Sequence, residues 1–123
     1  MKPKITFLLS LTFLFVFSGS VDGEEPEVKS EYWDNGKLKK ETHYKNGKEN
    51  GLHAEGRWDN GKKIMEANFK DGDLHGLYKD WHSNGVQANI GQYKEGKEDG
   101  LWVLWSKDGS TQIKKIYKNG NEQ

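Results

Sequence analysis

The chain has 123 residues, enough for one small domain. Its 19 basic and 19 acidic residues cancel, so no net charge draws it toward nucleic acid. Cysteine is absent, which excludes disulfides, thiolate metal sites, a cysteine nucleophile and a lipidated cysteine.

Residues 1–23 read as an export signal. Lys2 and Lys4 precede a 13-residue run, 5–17, that is apolar apart from Thr6, Ser10 and Thr12. A spanning helix needs about 20 apolar residues, so the run has the length of a signal-peptide core. Ser18 and Ser20 suit a cleavage site, and Val21 and Gly23 offer a second one. Export places the mature chain in the periplasm, at the cell surface or outside the cell. Residues 24–31, opening on Glu24-Glu25-Pro26-Glu27, read as an acidic, solvated spacer. Cleavage removes Phe7, Phe13, Phe15 and Phe17, so the mature aromatics are mostly Trp and Tyr, types suited to half-exposed surfaces.

From residue 32 to 120 the chain is periodic. Turn glycines stand at Gly36, Gly61, Gly85 and Gly109, spaced by 25, 24 and 24 residues. A second series, Gly47, Gly72, Gly96 and Gly120, repeats the same spacings. Each follows Asn, Asp or Glu, and such pairs accept the positive φ of a tight hairpin turn. Each pair therefore reverses the chain between short strands. Further glycines at Gly51, Gly76 and Gly100, each followed by Leu, predict somewhat wider reversals. Residues 121–123 are left as a tail.

An aromatic stands three or four positions before every turn glycine: Trp33, Tyr44, Trp58, Phe69, Trp81, Tyr93, Trp105 and Tyr117. Alternation predicts that these form a core along one face. That face also takes Leu52 and Ala54, Met65 and Ala67, Leu77, and Leu101 and Val103. The aromatics off this pattern, Tyr32, Tyr78 and Trp102, are expected to point the other way, into solvent or a partner. Trp and Tyr dominate interaction hot spots, so these three are the candidate partner contacts. Trp102 has an alternative place, wrapped by the last hairpin.

Catalytic and metal chemistry find little support. His43, His53, His75 and His82 form no ligand-spaced pair, and the closest approach to a site is His82 beside Asp80. Carboxylates cluster in turns, at Glu49, Asp71, Asp73, Glu95, Glu98 and Asp99, where they are solvated. The GKxxG segments lack the Lys-Ser/Thr of a phosphate loop. No enzyme activity, metal or cofactor is expected.

The stretches YKNGKENGLHAEGRWDNGK (44–62), FKDGDLHGLYKDWHSNG (69–85) and YKEGKEDGLWVLWSKDG (93–109) resemble the bacterial MORN-repeat-variant family, whose members often carry the label YwqK-type antitoxin. The resemblance covers 32–120. It implies an all-β fold: an elongated single-layer meander of antiparallel hairpins, about 24 residues per repeat. It also implies a protein-interaction or scaffold role, with membrane-lipid association in related repeats. An export signal fits the antitoxin label only for a toxin acting outside the cytoplasm. The expected function is an exported, non-enzymatic module binding another protein of the bacterial envelope. The alternatives are a glycan- or cell-wall-binding repeat and an antitoxin or immunity protein.

Overall fold

The computed structural model describes residues 26–56, 60 and 62–123. The export segment, Trp58 and Gly61 lie outside the described residues. Among the described residues ten strands form one antiparallel sheet: β1 Glu27–Tyr32, β2 Leu38–Lys45, β3 Lys48–Gly56, β4 Lys63–Lys70, β5 Asp73–Leu74, β6 Gly76–Trp81, β7 Gln87–Lys94, β8 Lys97–Trp105, β9 Gln112–Lys118 and β10 Asn121–Glu122. Spatial order follows chain order, with β5 and β6 sharing β4 as their neighbour, and the sheet does not close into a barrel. The all-β hairpin meander is the fold read from the repeat. Its ends reach further than the sequence reading placed them. The stretch read as a spacer supplies β1, which pairs with β2 from Glu27↔Tyr44 to Tyr32↔Leu38. The stretch read as a tail supplies β10.

Two turn types alternate. In one series two residues reverse the chain, as between Lys45↔Lys48 and Lys94↔Lys97. Both turn residues have positive φ: Asn46 at 53° with Gly47 at 74°, and Glu95 at 51° with Gly96 at 81°. That is the primed geometry whose twist matches the flanking strands. The other series is built differently. Trp33 N–H donates to Lys37 O at 2.8 Å and Gly36 N–H to Trp33 O at 2.9 Å, which encloses three residues. Among the described residues of these turns only the glycine has positive φ, 84° at Gly36 and 86° at Gly85. The preceding side chain caps the loop: Asn35 Oδ1 accepts from Lys37 N–H and Asn84 Oδ1 from Val86 N–H, both at 3.0 Å. Asp108 does the same for Ser110 N–H, and the Ser110 and Ser106 hydroxyls also donate to it. These bonds hold its carboxyl at about 2, against an ordinary 3.8. The primed geometry read for every pair thus belongs to one series.

Nor are the segments at Gly51, Gly76 and Gly100 wide reversals. The turns before them are tight, and the extra residues bulge within the strand. Thr42↔His53 and Tyr44↔Glu49 set two steps of β2 against four of β3, and Ile90↔Val103 with Gln92↔Asp99 repeats this in β7 and β8. Gly51, at φ 100°, and Gly76, at φ 102°, supply the backbone the bulge needs. On this edge each tight turn leans on the hairpin before it. Gly72 N–H donates to Glu49 O, Gly96 N–H to Leu74 O and Gly120 N–H to Glu98 O, at 2.8 to 3.0 Å. On the opposite edge the Trp33 indole N–H donates to Gly56 O at 3.1 Å and the His82 Nε2–H to Trp105 O at 2.8 Å. Trp33 and His82 are therefore equivalent positions. Tyr32, which follows a register shift on β1, is the equivalent of Trp81 on β6. The sequence grouping of Trp33 with Trp81 and Trp105 gives way to Tyr32 with Trp81 and Trp105.

The single core face of the sequence reading is in fact two faces. Partners in an antiparallel pair share a face. Thr42, His53 and Ala67 lie in one row, and Tyr78, opposite Gly91, joins their face through Met65↔Asp80. The other face carries the row Ala54, Glu66, Lys79, Ile90, Val103 and Lys114. Leu77 and Leu101 belong to this second face, away from Met65, Ala67 and Phe69. Among the described residues the buried ones are correspondingly few: Thr42, His53, Ala54, Gly56, Ala67, Ala88, Gly91 and Trp102.

Candidate functional site

The first face carries an aromatic cluster. Trp102 is 7 % exposed, and its ring centroid lies 5.1 Å from Tyr93, 5.7 Å from Tyr78 and 6.3 Å from Tyr117. Tyr93 and Tyr117 meet it edge-on, a favoured quadrupole geometry. Its indole N–H donates to Gln92 O at 3.1 Å, so the buried ring leaves no polar atom unsatisfied. Gly91 makes the seat: a Cβ there would lie 2.1 Å from Trp102 Cδ2. Tyr78 O–H donates to Asp80 Oδ2 at 3.0 Å, while Asn89 Nδ2–H donates to Asp80 Oδ1 at 2.8 Å. Burial pushes the Tyr78 hydroxyl well above the usual tyrosine range, and the Asp80 bond and charge push it further. Burial also raises Tyr93, with the Glu98 charge second.

This cluster corrects the choice of partner contacts. Trp102 is in the core, the wrapped alternative, and Tyr78 is half-buried against it. Tyr32 is half-buried on β1 opposite Leu38. The pre-turn aromatics Trp33, Tyr44, Phe69, Trp81, Tyr93, Trp105 and Tyr117 are half-buried too, and divided between the two series of turns. Trp33 sits under the ammonium of Lys39, 5.0 Å from its ring centre.

The second face carries the surface feature that the sequence reading assigned to the core. Leu77 is 41 % exposed and Leu101 53 %. With Ile90 and Val103 they line an open groove of about 420 Å³, bordered by Gln92, Asp99 and Gly100. Ile116 extends the apolar strip as the direct partner of Leu101. The sequence signal was present in the Leu that follows each bulge glycine. Two extra residues leave the alternation in step, so each such Leu faces away from the Tyr or Phe that precedes the turn.

The histidines are occupied locally. His53 is buried, with Nδ1 bonded to Thr42 Oγ1 at 2.9 Å and Nε2 to Glu55 at 3.1 Å. His43 meets Glu41, and His75 Nδ1 accepts from Glu95 N–H. His82 turns to Trp105 O, and the Asp80 carboxylate to Tyr78 and Asn89. Among the described residues no group of three or more His, Asp or Glu could hold a metal ion.

No curated protein and no solved structure matches the chain. Residues 28–46 match the MORN repeat variant family model. That span holds most of β1, the first three-residue turn, β2 and the first residue of the next turn. Over that span the chain is similar to MORN-repeat-variant proteins, and the matched hairpin is one of a series in the same sheet.

Proposed function

We propose that the chain is an exported, non-catalytic scaffold module that binds another protein of the bacterial envelope through the groove between Leu77 and Leu101. The observation that carries this reading is the exposure of two leucines over an apolar floor in so polar a chain. Apolar side chains gathered in an open groove, with Ile116 continuing the strip beside Leu101, favour a docked partner over bare solvent. Fully burying one such side chain contributes about 1.5–3 kcal/mol. The glycan reading needs exposed ring faces, and the edge-on packing around Trp102 gives it less support. The YwqK-type antitoxin label fits this module for a toxin outside the cytoplasm, which would then be the groove's occupant.

The test starts with a photo-crosslinking residue at Leu101 in the native host. The captured partner is then titrated against the purified protein and its Leu101→Asp variant. The variant is expected to melt like the parent and to bind about tenfold or more weaker, the loss of one buried leucine. An unchanged Kd sinks the groove assignment. Intact mass of the envelope fraction tests export separately: a species beginning near Val21 or Glu24 is expected, and a full-length cytoplasmic species overturns that part.

A further inference from the structure

The two lateral edges of the sheet are halves of a junction that the molecule already contains in complete form, at β2–β3, β4–β6 and β7–β8. Inside the sheet, β4 and β6 meet through Met65↔Asp80 and Glu66↔Lys79, with Asn68 Nδ2–H donating to Leu77 O at 2.9 Å. The last hairpin copies β4 and β5 bond for bond. Tyr117↔Glu122 repeats Phe69↔Leu74, and Lys118↔Asn121 repeats Lys70↔Asp73. Gln123 N–H donates to Ile116 O as His75 N–H does to Asn68 O, both at 2.8 Å. Ile113 and Lys114 thus stand where Met65 and Glu66 stand, but among the described residues nothing pairs with their outer side.

The opposite edge carries the missing half. β1 pairs with β2 as β6 pairs with β7. Glu31↔Lys40 repeats Asp80↔Asn89, Ser30↔Glu41 repeats Lys79↔Ile90, and Val28↔His43 repeats Leu77↔Gln92. The register shift falls at the same step, Glu31/Tyr32 and Asp80/Trp81. β1 is therefore a β6 without its β4, and β9 a β4 without its β6.

We propose that β9 of one molecule takes β1 of a second copy, in the register of the β4–β6 junction, so that copies join head to tail. That register sets Ile113 against Glu31, Lys114 against Ser30 and Ile116 against Val28 of the next copy. The edges are complementary in charge: β9 carries Lys114, Lys115 and Lys118, and β1 carries Glu27 and Glu31 around Lys29. Lys115 would face Lys29, but each ammonium is already engaged. Lys115 donates to Glu122 at 3.1 Å, and Lys29 lies 4.9 Å from the centre of the Tyr44 ring. The exposed apolar residues of β9, Ile113 at 59 % and Ile116 at 57 %, are the ones the junction covers. β9 carries lysines of the kind that blunt an edge strand, but beside them it exposes two isoleucines that an unpartnered edge usually lacks. The contact is heterologous, so its products are open chains of copies and not closed dimers.

Two variants that each block one edge test this on the protein recovered from its host. Ile116→Lys adds a charge to the β9 edge, and Val28→Lys does so on β1. Sedimentation of the parent is expected to show a mass that rises with concentration without a plateau. Each variant alone is expected to stay monomeric, and an equal mixture to stop at a heterodimer, since one edge of each remains open. A parent that stays monomeric throughout overturns the proposal. So does a plateau at a dimer that Val28→Lys leaves intact, which would place the contact at the groove. Exchange protection of the Ile113 to Lys115 amides in a dilute monomer also overturns it, because a segment of the same chain would then hold that edge. A Leu101→Asp variant is expected to self-associate as the parent does, which keeps this result separate from that of the groove.

Discussion

At the scale of single residues, the sheet turns on how Trp102 is seated. Gly91 has ordinary extended backbone, so its lack of a side chain serves space and not conformation. Gly91→Ala is expected to cost about 1–3 kcal/mol in denaturant unfolding, the usual penalty of overpacking. Adding Trp102→Phe should recover part of that loss by shrinking the ring, and a strictly additive double variant would reject the seat. Tyr78 sets an alkaline limit. Its folded pKa is raised, so its contribution to stability is complete below the unfolded value of 10.0 and is lost as pH rises beyond it. Tyr78→Phe is expected to lose about 1 kcal/mol at neutral pH with the Asp80 bond, and to flatten the decline above pH 10. Alkaline melts of both proteins with equal slopes would assign that decline elsewhere. Only the place of Trp102 was legible beforehand, and only as the alternative in which the last hairpin wraps it. Tyr78 and Trp102 looked outward because both series of pre-turn aromatics were given one face, whereas Tyr93 and Tyr117 share the face of Trp102 and Trp105 that of Leu101.

At the scale of elements, the hairpins were the legible part, because Asn-Gly spacing encodes where a chain can reverse. Which kind of reversal it makes was less legible. Both series carry similar pairs, and the difference lies in how many residues the flanking backbone bonds enclose. The distinction predicts different tolerances at positions that look alike. In the two-residue turns the residue before Gly must itself hold positive φ, and Glu95 does so at 51° where Asn46 and Asn119 stand in the matching turns. A left-handed conformation costs an ordinary residue about 1–2 kcal/mol, and Asn less. Glu95→Asn is therefore expected to raise stability by about 0.5–1 kcal/mol, read from the urea midpoint at constant m. The same exchange has no such motive at Asp108, before Gly109, where that residue caps the loop through its side chain. A neutral or negative effect at Glu95 would mean that its strain is relieved by other contacts.

For the whole molecule, the period announced the meander and left its two surfaces undetermined. Leu77 and Leu101 shared a list with Met65 and Ala67 because both sets alternate, yet β4 and β6 meet with those sets on opposite sides. A single sheet has no second layer to enforce one apolar face, so alternation alone could not say which face would be left open. The strand order has a mechanical meaning as well. Because neighbours in space are neighbours in the chain, a pull on the two termini loads the ladder bonds one pair at a time, as a zipper is opened, and not all together in shear. Each 24-residue period can then release up to about 80 Å of slack before the next begins to yield. Held between an envelope partner and a fixed point, such a chain gives way by stages under load and refolds from whichever hairpins remain.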